Sequence, residues 1–66
     1  MLNVRLIFQD SEMLVEASKV AYYDEGVYVW SDNPLLAKYP EVNTGTGDGL
    51  SRELSRRDGL IGFDVK

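Results

Sequence analysis

Leu2, Val4, Leu6 and Phe8 fall on one side of an extended chain, and Asn3, Arg5 and Gln9 on the other, with Ile7 the exception. Apolar residues at period two predict a strand with one buried face. Asp10-Ser11-Glu12 follows and reads as a turn, because Asp and Ser side chains bond their own backbone in tight corners. The same period returns at the far end, where Ile61, Phe63 and Val65 alternate with Gly62, Asp64 and Lys66. That alternation predicts a final strand.

Met13 to Glu25 allows two readings. A helix capped by Ser11 and ended by Gly26 would bury a thin stripe of Leu14, Ala17 and Ala21, with Met13 and Val20 beside it. Glu12 and Glu16 would repel one turn apart, and the valines and adjacent tyrosines are weak helix formers. As strands, Met13–Ala17 returns from the turn, Ser18-Lys19 makes a kink, and Val20–Tyr23 pairs with Val27–Trp30 across a Glu25-Gly26 loop. The strand reading fits better. It puts Ala21, Tyr23, Tyr28 and Trp30 on one side of the hairpin, and Val20, Tyr22, Val27 and Val29 on the other. An antiparallel sheet usually keeps one face wet, so something must cover the second apolar face.

Asn33-Pro34 is a good helix start, with Asn as N-cap and Pro at the first helical position. Pro40 stops that run after one or two turns. Asn43 to Gly49 reads as a loop, with glycines at 45, 47 and 49. Asp48 can cap a second short helix reaching Arg57, with Leu50 and Leu54 on one side and Asp58-Gly59 ending it. The expected fold class is α+β. It comprises a small antiparallel meander of four to five strands, barrel-like if the last strand closes on the first, with one or two short helices toward the C-terminus. Residues 1–66 form a single small domain. Either the two helices fold back over the second face of the hairpin, or Tyr23, Tyr28 and Trp30 remain partly exposed there to meet another protein.

Composition narrows the chemistry. The chain has 66 residues, 44% of them apolar, and no cysteine or histidine. It can fold, but a domain this small hides only ~60% of the surface its unfolded chain exposes. Disulfides, thiolate nucleophiles and imidazole bases are excluded. No cofactor or metal ligand set is called for, and the expectation is a protein that is not an enzyme. No apolar block has the length of a signal sequence or of a membrane span, which points to a soluble, cytoplasmic protein. The formal charge is −4. Eight acids and three bases lie in Met1–Gly49, and three acids and four bases in Leu50–Lys66. An acidic body repels phosphate and argues against direct nucleic-acid binding.

Three features carry candidate chemistry. The Gly45–Gly49 loop has oxygen donors in Asn43, Thr44 and Asp48, which suggests a small-ligand or calcium module, although the EF-hand spacing is missing. Arg52 and Arg56, one turn apart on the expected helix, are a candidate anion or acidic-peptide contact; the plainer reading is a solvated face. The aromatic cluster is the strongest feature. Tyr23, Tyr28, Trp30 and Tyr39 are the predicted partner-binding residues, because Tyr and Trp bring large contact area at low entropic cost. The expected function is therefore a non-enzymatic protein–protein interaction module, an accessory subunit or a small acidic inhibitor. The alternative is a self-associating structural subunit, a homo-oligomer that gains burial by assembly.

Overall fold

A computed structural model describes all 66 residues. Seven strands form: β1 (Leu2–Phe8), β2 (Glu12–Ala17), β3 (Lys19–Tyr23), β4 (Gly26–Trp30), β5 (Glu41–Asn43), β6 (Leu50–Ser55) and β7 (Leu60–Val65). They make two antiparallel sheets, ordered β2-β1-β7 and β3-β4-β6-β5. Two features join the sheets at their corners. The chain runs from β2 into β3 through a bend at Ser18, whose amide bonds the Trp30 carbonyl at 2.9 Å. A 3-10 turn at Arg56–Asp58 then carries β6 into β7. It is held by a capping box in which Ser55 and Asp58 satisfy each other's free amides, and it ends at Gly59 with φ 88°. β7 pairs with β1 from Val4↔Val65 to Phe8↔Leu60. The result is two small antiparallel sheets joined at two corners.

The inner faces of the two sheets make one core. Val4, Leu6, Val15, Ala17, Val27, Val29, Leu54 and Leu60 are all buried in it. Leu36 and Tyr39 enter the same core from the segment between β4 and β5, and the Tyr39 ring stacks on Phe8 at 6.4 Å. Arg52 fixes that segment. Its guanidinium donates to the carbonyls of Ala37 (3.2 Å) and Tyr39 (2.7 Å) and to the Glu41 carboxylate (3.1 Å). On the outside of the first sheet, Arg5 lies between Asp64 and Glu12 and links all three strands.

The α+β class is corrected by this structure. Its helical content is two 3-10 turns, at Pro34–Leu36 and Arg56–Asp58, and no α-helix lies toward the C-terminus. The first turn starts as expected, with Asn33 Oδ1 accepting from the Leu35 amide. The second helix does not form. Its Leu50 and Leu54, four apart, also satisfy period two, and as a strand β6 pairs with β4 on one side and β5 on the other. A helix there would leave both neighbours with open backbone groups, so tertiary pairing overrides the local pattern. Arg52 and Arg56 therefore share no helix face. Arg52 belongs to β6 and Arg56 to the turn. The short strand β5 falls partly in what reads as loop.

The β3–β4 hairpin also differs in register. Its loop is Asp24-Glu25, and Tyr23 pairs with Gly26. Gly26 is needed for space: a Cβ there would lie 2.0 Å from the Leu54 carbonyl oxygen and 2.7 Å from Ser55 Cα. The shift moves both strands by an even step, so each side chain keeps its expected side. The cover over the outer side is different from that expected. The Pro34–Tyr39 segment packs into the core instead, and the Gly45–Gly49 loop covers Trp30.

Two substitutions test this account in chemical denaturation. Leu54→Ala should cost about 2–5 kcal/mol, as for large-to-small changes at fully buried sites. Gly26→Ala should cost about 1–3 kcal/mol although it adds one methyl group, because backbone must move to admit it. A Gly26→Ala variant as stable as the parent would show that β4 and β6 do not approach so closely.

Candidate functional site

The four predicted aromatic residues do not form one exposed face. Trp30 is 4% exposed and Tyr39 8%. Trp30 Nε1 donates to the Gly49 carbonyl (3.3 Å), and Lys19 Nζ stands 4.9 Å from the ring centre. Lys19 also donates to Asp48 at 2.6 Å, which straps the glycine-rich loop over the indole. Gly45, Gly47 and Gly49 take φ of 77°, 82° and 90°, a region side chains disfavour, so glycine permits the loop's path. Its polar groups bond within the loop: Asn43 Oδ1 accepts from the Gly45 amide, and Thr46 Oγ1 meets Thr44 and the Asp48 amide. No group of three acidic, His or Cys side chains is gathered there or elsewhere.

Tyr23 and Tyr28 do meet. Their rings stack at 4.7 Å across a diagonal of the hairpin, and the Tyr23 hydroxyl donates to Glu53 Oε2 at 2.7 Å. Loss of water around Tyr23, then the bond to Glu53, raises its pKa above the ordinary tyrosine value of 10.0. Arg52 is spent on the carbonyls described above. Arg56 is exposed, and donates to the Asp24 carbonyl at 3.2 Å.

The exposed apolar surface lies elsewhere, at the seam between β3 and β7. β3 pairs only with β4, β7 pairs only with β1, and no backbone hydrogen bond joins the two. Tyr22 is 77% exposed and Ile61 69%. Tyr22 belongs to the inner side of its sheet, beside Val27, but stands at the open margin, its ring 6.1 Å from that of Phe63. Ile61 is exposed for a different reason. The register of β7 slips between Gly62 and Leu60, so Ile61 is an extra residue without a partner on β1, and such bulges re-aim side chains. A hollow of about 150 Å³ opens here, lined by Tyr22, Tyr23, Ile61 and Phe63, with Asp24, Glu25 and Arg56 on its rim.

Comparison with protein-family models, curated proteins and solved structures finds no match to this chain.

A wider hollow of about 410 Å³ lies along β2, between Met1, Leu14, Glu16 and Asp32. Leu14 is flanked there on the same strand face by Glu12 and Glu16, the charged guard that keeps edge strands from pairing. The seam has no such guard at Tyr22 or Ile61. No helix is long and apolar enough to cross a membrane. Sequence reasoning missed the seam because it followed the side of the hairpin with more rings. The usable signal was the pairing of the last strand with the first, which leaves the second edge of β7 open beside the Tyr22 side of β3.

The Lys19–Asp48 strap has a pH dependence of definite sign. The bond from Lys19, then that from Thr46, lowers the Asp48 pKa below 3.8. The strap therefore contributes above the ordinary carboxylate range and is lost as pH falls through the lowered value. Trp30 fluorescence should shift to the red in that acid window, before the far-ultraviolet sheet signal collapses. Asp48→Asn should show the shifted emission at neutral pH and lack the acid step.

Proposed function

We propose that this chain is a non-enzymatic protein-interaction module that docks a partner at the β3–β7 seam. The observation that carries the reading is the exposure of Tyr22 and Ile61 beside half-buried Phe63, on two strand margins that pair with nothing. Aromatic and aliphatic side chains in such a setting are the usual anchors of protein contacts. Tyr23 also lines the hollow and is stacked on Tyr28. Support for a binding role over catalysis comes from size and chemistry. The hollow is smaller than the ~300–1,000 Å³ typical of small-molecule sites. Its acids, Asp24 and Glu25, are both exposed on the hairpin turn.

The net charge of −4 favours a basic partner surface, with attraction that weakens as salt rises. The same charge works against stacking copies of this chain on one another, which favours docking to another protein over self-assembly.

The test compares partners retained from a source-cell lysate by the parent chain, by Tyr22→Ala/Ile61→Ser, and by Leu14→Ser as a control on the opposite margin. All three should fold with similar stability, since exposed positions contribute little. A seam-dependent partner should be retained about tenfold less by the double variant, equivalent to about 1.4 kcal/mol, and unchanged by the control. Retention of the same proteins by all three would refute the seam as the docking surface. Sedimentation equilibrium should give the 7.4 kDa monomer.

A further inference from the structure

We infer that the occupant of the seam is an extended basic segment of a partner protein, added as an extra strand along β3. This rests on the seam being the docking surface and names what docks there.

The argument for a strand is the backbone. β3 is paired with β4 without interruption from Lys19↔Trp30 to Tyr23↔Gly26. Alternate residues of such a strand turn their N–H and C=O groups away from the sheet. Nothing in the chain meets them on that side. An unguarded regular edge is a template for strand addition, in which main-chain bonds give affinity and alternate side chains give selectivity. β7 offers a poorer template, because the bulge at Ile61 breaks its register. β5 is three residues long, and β2 carries Glu12 and Glu16. A segment on β3 would set every second side chain toward Tyr22, Ile61 and Phe63, so those side chains are apolar.

The argument for positive charge is at the turn. Asp24 and Glu25 form no ion pair, while the Arg56 guanidinium beside them is held by the Asp24 carbonyl. At the other end of β3, Lys19 is neutralised by Asp48. The charge at this end of the edge is thus net negative, two carboxylates against the one Arg56 guanidinium. A second copy of the chain would bring a net charge of −4 to this edge.

The inference can be tested on the intact chain by amide chemical shifts and hydrogen exchange, using three short peptides. The first alternates valine and lysine, the second alternates valine and glutamate, and the third is the valine–lysine peptide N-methylated at alternate residues. The first should shift Tyr22, Ile61 and Phe63 and slow exchange along β3, and added salt should weaken it. The second and third should bind about tenfold more weakly or worse. Equal binding of the N-methylated peptide at the same residues would overturn strand addition while leaving the seam a docking surface. Equal binding of the glutamate peptide would overturn the basic character. Perturbation confined to β2, β5 or β7, or no response to the first peptide, would overturn β3 as the acceptor; the lysate comparison with Tyr22→Ala/Ile61→Ser then judges the seam separately. A dimer in sedimentation whose formation protects β3 amides would make a second copy the occupant.

Discussion

The rest of the structure depends on the pairing of β7 with β1. This contact brings the two ends of a 66-residue chain together and turns two small sheets face to face. Without it, Val4 and Leu6 would have no Leu60 or Phe63 beside them, and the β4–β6 sheet would have one corner, at Ser18, holding it over the other. A chain this short has little apolar area to spare. Only twelve residues are buried, and ten of them form the single core cluster. The Pro34–Tyr39 segment completes that core by sending in Leu36 and Tyr39, and Arg52 holds the segment through its carbonyls. One arginine of β6 thus ties that segment to the second sheet.

The open seam follows from the same topology. The chain crosses between sheets at Ser18 and again at Arg56–Gly59, so each sheet ends on strands with one free side. β7 uses its one partner to close on β1, and β3 uses its one partner to form the hairpin. Nothing remains to pair them with each other. Side chains fill the gap instead, and Tyr22 over Phe63 is as far as that filling goes. Natural sheets protect free margins with charge, bulges or short strands. β2 has its glutamates, β7 its bulge and β5 its brevity. β3 alone is regular, of full length and apolar at its margin, which makes it the margin that invites a partner.

Much of this fold was legible in the sequence. Period two marked β1 and β7, Ser18-Lys19 marked the bend, and Asn33-Pro34 marked the first turn. The errors have physical causes. Leu50 and Leu54 fit period four and period two equally, and only the presence of β4 and β5 as neighbours decides between them. Gly26 suggests a turn glycine, but its role is to admit the Leu54 carbonyl, a long-range contact with no local signature. The site was legible in part. The stacked Tyr23 and Tyr28 could be placed on one side from alternation alone. The burial of Trp30 could not, because it depends on a loop nineteen residues further on.

Charge shows the same division between composition and structure. Read along the chain, the arginines at 52 and 56 form the one basic cluster and invite an anion. In the fold, Arg5 is taken by Asp64 and Glu12, Arg52 by two carbonyls and Glu41, and Arg56 in part by the Asp24 carbonyl. Arg5 and Arg52 are thereby paired with carboxylates, whereas Arg56 keeps its charge beside the hairpin turn. The acids are used differently. Several cap or pair, but Asp24 and Glu25 occupy a hairpin tip and enter no ion pair, with Arg56 the one cation lining the same hollow. Two carboxylates outside any ion pair and the free backbone groups of β3 therefore lie on the same edge.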